Sequence, residues 1–272
     1  MSKHILLVHD LAGYGKVSLS AMMTVLSHMG HHLYTLPTAL VSNTLDYGKF
    51  YIQETTEYMR QSLKVWAELG FSFDVVSTGM ILSAEQAALV SDFCEQSAKK
   101  GALVFVDPIM GDEGKLYNGV GEETIAHMRK MVAVADCIVP NYTEAAYLAD
   151  MPYHEDMTEE EARALTIRLH AMGAKSVVVT SAKVDGENCV VGYDGTEGEF
   201  FRIPFDLIPV RFVGTGDIFA AVMLGRLVDG VPLQESTHRA MDAVRTMIDR
   251  NRDKEDKYLG IPIETCLEVL DE

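Results

Sequence analysis

"FDVVSTGMILSAEQAALVSDFCEQSAKKGALVFVDP" (73–108) decides the fold class. It opens on one apolar run, FDVVSTG (73–79), and closes on another, ALVFVDP (102–108). Neither run alternates apolar with polar residues. Strands that are apolar on both faces belong to parallel sheets covered by helices. Between them lies an amphipathic stretch with Ser83 at its start, Gln86 three residues on and Gly101 at its end. That is the punctuation of a capped helix. Strand, helix and strand in this order make one unit of a parallel sheet.

The same alternation extends in both directions. HILLV (4–8) precedes a helix-like stretch from Ser18 to Gly30. DCIVPN (136–141) and SVVVTS (176–181) are further unpolarised runs. MTEEEARALTIRLHAMGA (157–174) reads as a helix, with acids in its first turn and Gly173 at its end. The prediction is an α/β fold with a doubly wound, mostly parallel sheet and helices on both faces. Two regions break the pattern. LYTLPTALVSNTLDYGKFYI (33–52) holds short β-prone pieces and no helix, a small β flap. Residues 189–213 alternate like a β-hairpin and end in a loop with two prolines. No linker, repeat or low-complexity stretch interrupts the chain, so residues 1–272 are expected to form one domain.

Composition excludes several classes of function. The chain has 272 residues and a net charge of −17. So acidic a surface repels nucleic acid and anionic lipid, which argues against both as partners. Cys94, Cys137, Cys189 and Cys266 are scattered without a CxxC spacing, which suits buried thiols in a reducing compartment. The first apolar run, Ile5–Val8, is too short for a signal-peptide core. No segment approaches the roughly 18 apolar residues of a membrane span. A cytoplasmic location is expected.

In open parallel sheets ligands sit beyond the carboxyl ends of the strands. The polar residues placed there are Asp10, Asp107, Asp112, Asn141, Glu144, Thr180 and Asp217. Such an acidic set suits the handling of a metal or a proton. HDLAGYGKVSLSA (9–21) resembles two glycine motifs and satisfies neither. Val17 stands where a P-loop needs Ser or Thr, and Ser18 where a dinucleotide fingerprint needs its third Gly. A tight glycine turn from strand to helix accounts for it. VDPIMGDEGKLY (106–117) sets Asp107 and Asp112 on a glycine-containing loop, either a solvated turn or a place for Mg²⁺ held through water. In PNYTEAAYL (140–148), Asn141 and Glu144 form a helix cap or face a ligand and its metal. RFVGTGDIFAA (211–221) sets Gly214, Thr215 and Gly216 before Asp217. An acid in a first helical turn is ordinary. Successive free amides at a helix start also make an anion nest, and an acid behind one is costly unless it takes a proton there. That pairing suits phosphoryl transfer.

Together these motifs resemble the ribokinase-like superfamily, and within it the pyridoxal kinase group, over nearly the whole chain. GTGD (214–217) resembles the anion-hole-and-base signature and DPIMGDEGKLY (107–117) the loop of that group. PNYTEA (140–145) is similar to its Asn-x-x-Glu motif, and LVSNTLDYGKF (40–50) to its flap. The resemblance implies an ATP-dependent kinase for the 5′-hydroxymethyl group of a B6 vitamer. Asp217 is then the base, and Gly214, Thr215 and Gly216 offer amides to the transferring phosphoryl. Asp107, Asp112 and Glu144 organise Mg²⁺. Asp112, Tyr117, Asn141, Glu144 and Thr180 serve the nucleotide, and Asp10 with Ser42, Asn43 and Thr44 faces the pyridine ring. A homodimer is implied through the flap. The chain departs from the group at Asp10, where Ser is common, at Val139, where Thr is common, and in a flap that lacks a usual His. The related alternative is a hydroxymethylpyrimidine kinase, which shares the fold and the chemistry.

Overall fold

The computed structural model describes residues 2–117 and 120–271. The fold is mixed α/β on a large, mostly parallel sheet, as the unpolarised runs predict. The chain divides into two compact units, Met1–Val75 with Ile208–Glu272, and Val76–Leu207.

In the first unit, strand His4–Val8 pairs in parallel with His32–Thr35. Ile5, Leu6, Leu7 and Val8 are fully buried, which explains why this strand shows no alternation. Helix Leu19–His28 connects the two, and Gly30 beyond it takes the left-handed backbone (φ 88°) that ends a helix. The flap is a three-stranded sheet of Leu11–Ala12, Ala39–Val41 and Ile52–Glu54, the first pair parallel and the second antiparallel. It contains a 3₁₀ turn, Leu45–Tyr47, where the sequence predicts no helix. The turn forms because Thr44 is tethered on both sides: its amide bonds the Tyr14 carbonyl and its hydroxyl the Tyr258 carbonyl. Helices Thr56–Leu69, Thr215–Val228 and Leu233–Asn251 complete the unit. Every residue from Asp217 to Gly225 is buried, so the middle helix is a core element.

In the second unit the strands lie in the order Glu199–Pro204, Glu187–Asp194, Ser176–Val184, Cys137–Ile138, Leu103–Val106 and Val75–Thr78. Cys137–Ile138 is parallel to both of its neighbours. The expected hairpin is Glu187–Asp194 with Glu199–Pro204, and it extends the sheet by pairing antiparallel with Ser176–Val184. Helices Ala84–Ala98, Glu123–Val132, Tyr142–Ala149 and Glu159–Ala171 join the strands. Their caps follow the sequence signals. Ser83 accepts the Gln86 amide, and Thr158 with Glu161 closes a capping box ahead of three first-turn glutamates. The four cysteines are buried and unbridged. Among the described residues no helix is long and apolar enough to cross a membrane.

Candidate active site

In the first unit the chemistry gathers at the start of helix Thr215–Val228. Its N-cap is Gly214, in the left-handed region at φ 79°. A Cβ there would run into the Lys16 carbonyl, so glycine is required by both backbone angle and space. Asp217 is the third residue of the helix and only 9% exposed. Burial pushes its carboxyl up to about 7, against the pull of a hydrogen bond from the Ser18 amide, and the charge of Asp10 adds to the push. That amide belongs to another segment, so the carboxylate does more than cap its own helix.

Asp10 lies two residues beyond the first strand and is 8% exposed. The Ser18 hydroxyl donates to its Oδ1 at 2.7 Å. Burial raises the Asp10 carboxyl, and the Ser18 bond opposes that rise. Ser18 itself has φ 49° and ψ −127°, a conformation natural to glycine and strained for serine. The loop before it is pinned. Gly13 donates to Val41, Lys16 donates its amide to Leu259 and pairs its ammonium with Glu264, and Gly15 (φ 125°) packs against the Thr44 methyl. The flap residues Ser42, Asn43 and Thr44 bond mainly within the flap and to its anchor. Ser42 Oγ donates to Asn43 Oδ1 at 2.7 Å and accepts the Tyr51 amide at 2.9 Å. Asn43 Nδ2 donates to the carbonyls of Thr44 and Lys49.

In the second unit the predicted residues meet at the start of helix Tyr142–Ala149. Asn141 and Glu144 make the full capping box: Asn141 Oδ1 accepts the Glu144 amide at 3.0 Å, and Glu144 Oε2 accepts the Asn141 amide at 2.9 Å. The other oxygen, Oε1, accepts the Met110 amide at 2.9 Å and the Gly111 amide at 3.4 Å. Capping and loop-holding are one act of this side chain. Glu144 is 3% exposed, and burial pushes its carboxyl up to about 8; its three amide donors oppose that rise, and Asp112 adds to it.

The loop so held is a hairpin, Gly111–Asp112 paired with Lys115–Leu116, turned by Glu113 and Gly114 at positive φ. Asn141 Nδ2 donates to the Gly111 carbonyl at 2.7 Å, and the Gly114 amide donates to Thr143 Oγ1 at 2.8 Å. The Tyr117 amide returns to the Met110 carbonyl. Asp107, buried just past its strand, donates its amide to the Thr78 carbonyl. Thr180 bridges to Asn141 at a break in strand register, where Ser181 has φ 55°. Breaks of this kind re-aim side chains beside functional sites. Sequence reasoning singled out neither Ser18 nor Thr143. For Ser18 a signal existed, since it occupies the third glycine position of the incomplete fingerprint.

Among the described residues no three or more His, Cys, Asp and Glu side chains gather to hold a metal by themselves. Asp112 and Glu144 do sense each other's charge. Carboxylate oxygens are the ligands a divalent cation takes when it also keeps part of its water shell.

Comparison with known proteins bears on this geometry. Residues 19–260 match the family model described as phosphomethylpyrimidine kinase. A pyridoxal kinase of Arabidopsis thaliana is 33% identical over 171 residues, covering 60% of this chain and 53% of that protein. A pyridoxal kinase of Sus scrofa is 35% identical, over 56% of this chain and 52% of that protein. The matched region thus spans about half the length of these curated relatives. A Bacteroides thetaiotaomicron protein assigned as a phosphomethylpyrimidine kinase, solved in a form with pyridoxal, is 34% identical with a TM-score of 0.95, covering 100% of this chain and 96% of that one. The pyridoxal kinase of Lactobacillus plantarum is 28% identical with a TM-score of 0.88, covering 98% and 96%.

Proposed function

The chain belongs to the phosphomethylpyrimidine kinase family, and on that premise we propose that it transfers the γ-phosphoryl group of ATP to the 5′-hydroxymethyl group of a B6 vitamer. The observation that carries this reading is the buried Asp217, pushed up to about 7 behind the Gly214–Gly216 turn. A base poised near neutrality is what abstraction of an alcohol proton requires. Asp217 accepts the hydroxyl proton, and the oxygen bonds to the γ-phosphorus as the bond to the bridging oxygen breaks and ADP leaves. The amides of Gly214, Thr215 and Gly216, at the positive end of their helix, stabilise the charge on the transferring group. Asp10 faces the ring of the vitamer, with Ser42, Asn43 and Thr44 on the flap.

In the second unit Asn141, Thr180 and Tyr117 serve the nucleotide phosphates. Asp107, Asp112 and Glu144 would hold Mg²⁺, in part through water. When bound, the cation neutralises phosphate charge that these acids would otherwise repel. The reading takes the chain as one kinase domain, cytoplasmic, working as a homodimer through the flap sheet, which exposes Leu11, Leu40 and Tyr51.

The second reading is a hydroxymethylpyrimidine kinase, favoured by the description of the matching family model. The test is one assay with ATP and Mg²⁺, offering pyridoxal, pyridoxine, pyridoxamine and hydroxymethylpyrimidine in turn. The first reading predicts the highest kcat/KM with a B6 vitamer. A clear preference for the pyrimidine selects the second, and no transfer to any of them rejects both.

A further inference from the structure

We infer that Ser18 is a positioning residue that couples the ring-side acid to the base. It donates its hydroxyl to Asp10 Oδ1 at 2.7 Å, and its backbone amide favours the charged form of Asp217. One residue therefore orients both buried acids, on the reading that Asp10 meets the substrate and Asp217 takes its proton.

Three features of the structure argue for it. The first is conformation. At φ 49° and ψ −127° Ser18 occupies a region where an L-residue is strained. A glycine would sit there without strain and would supply the same amide, but it would leave Asp10 without the hydroxyl. The second is rigidity. The strained turn is held from both sides: Lys16 is bonded to Leu259 before it, and the Ser18 carbonyl accepts the Ala21 and Met22 amides after it. The third is burial. Ser18 is 3% exposed, so water does not replace the hydroxyl readily.

The coupling has a direction. The charges that face Asp217 are the Asp10 carboxylate and the positive end of its own helix, while Lys16 of the nearby loop is paired with Glu264. A charged Asp10 opposes ionisation of Asp217. The Ser18 hydroxyl favours the charged form of Asp10. Its removal makes Asp10 neutral to higher pH, and Asp217 then ionises at lower pH. A vitamer that engages the same Asp10 oxygen perturbs this bond directly, so ring recognition and proton abstraction are linked through one side chain.

The experiment compares Ser18→Ala and Ser18→Gly with Asp10→Asn, Asp217→Asn and the Asp10→Asn/Ser18→Ala pair. Ser18→Gly relieves the strain and keeps the fold, so its kinetics report the hydroxyl alone. Both Ser18 variants are expected to lose roughly 10- to 100-fold in kcat/KM for the vitamer, the worth of one hydrogen bond to a charged group. KM for ATP stays unchanged, and the acid limb of the pH profile moves to lower pH. In the Asp10→Asn background, Ser18→Ala has little further effect, because it acts through Asp10. The inference is overturned if both Ser18 variants keep the wild-type rate and pH profile while Asp217→Asn is inactive. It is equally overturned if Ser18→Gly behaves as wild type, or if the full loss persists without Asp10. An Asp217→Asn protein with undiminished turnover would instead reject the base assignment itself, and this inference with it.

Discussion

Asp217 and Glu144 are both acids in the first turn of a helix, both buried, and both pushed far above the usual carboxylate range. What separates them is company. Glu144 accepts three backbone amides, from Met110, Gly111 and Asn141, and so ties a hairpin to a helix start. Asp217 is favoured in its charged form by one backbone amide, that of Ser18. Burial alone therefore does not distinguish structural from chemical acids. A carboxylate with several amide donors holds backbone whatever else it does, whereas one with fewer donors keeps more lone pairs free to accept a proton.

The sharpest way to break this comparison is to neutralise each acid. Asp217→Asn is expected to lose about 10²- to 10⁴-fold in kcat while still binding ATP, which equilibrium binding of a nucleotide analogue checks. Its stability moves the other way. The folded pKa of Asp217 lies above its unfolded value, so the stability present below about pH 4 is lost as pH rises through about 7. Without that ionisation the variant should melt higher than wild type above neutral pH, measured on the ligand-free protein. Equal melting temperatures there would mean that the carboxyl is solvated.

Gly214→Ala comes next. It adds a Cβ at φ 79° against the Lys16 carbonyl and turns the cap amides away from the phosphoryl position. A loss of about 10²-fold in kcat is expected, comparable to losing one oxyanion donor. Full activity in this variant would remove the cap from the mechanism.

Glu144→Gln is the counterpart of Asp217→Asn. It sets an NH₂ against a buried amide that needs an acceptor, and should destabilise the fold by about 1–3 kcal/mol in denaturant titration. The Mg²⁺ dependence of turnover should weaken more than binding of the vitamer. An unchanged Mg²⁺ titration would leave Glu144 as a cap alone.

The smallest effect expected is one of preference. A carboxylate at Asp10 forms a charge-assisted bond with the ammonium of pyridoxamine, which the aldehyde of pyridoxal does not offer. Asp10→Ser should shift the ratio of kcat/KM values towards pyridoxal. An unchanged ratio across the three vitamers would remove Asp10 from the ring contacts.

Much of this was legible in the chain before any coordinates. Runs such as Val75–Thr78 and Leu103–Val106 are apolar throughout because the sheet covers both of their faces, and that pattern alone marks parallel strands. Asp10, Asp107 and Asp217 stand out as acids next to apolar runs. The 3₁₀ turn at Leu45–Tyr47 was not legible, since it depends on Thr44 reaching Tyr258, more than two hundred residues away. Ser18 escaped for a related reason. Nothing in a serine by itself signals a positive φ, and its hydroxyl bond to Asp10 forms only once the fold brings the two together. Asn141 and Glu144 were legible as a pair but not as a choice between cap and site, because the same atoms do the capping and grip the loop.

In the proposed mechanism Asp217 is the base, and its ionisation near neutrality switches the reaction on. The most direct measurement is kcat/KM for the vitamer as a function of pH, in wild type and in the residual activity of Asp217→Asn. An acid limb with an apparent pKa near 7 is expected in the wild type and is absent from the variant. A limb at the ordinary aspartate value of about 4, or one near 7 that survives in Asp217→Asn, would contradict it.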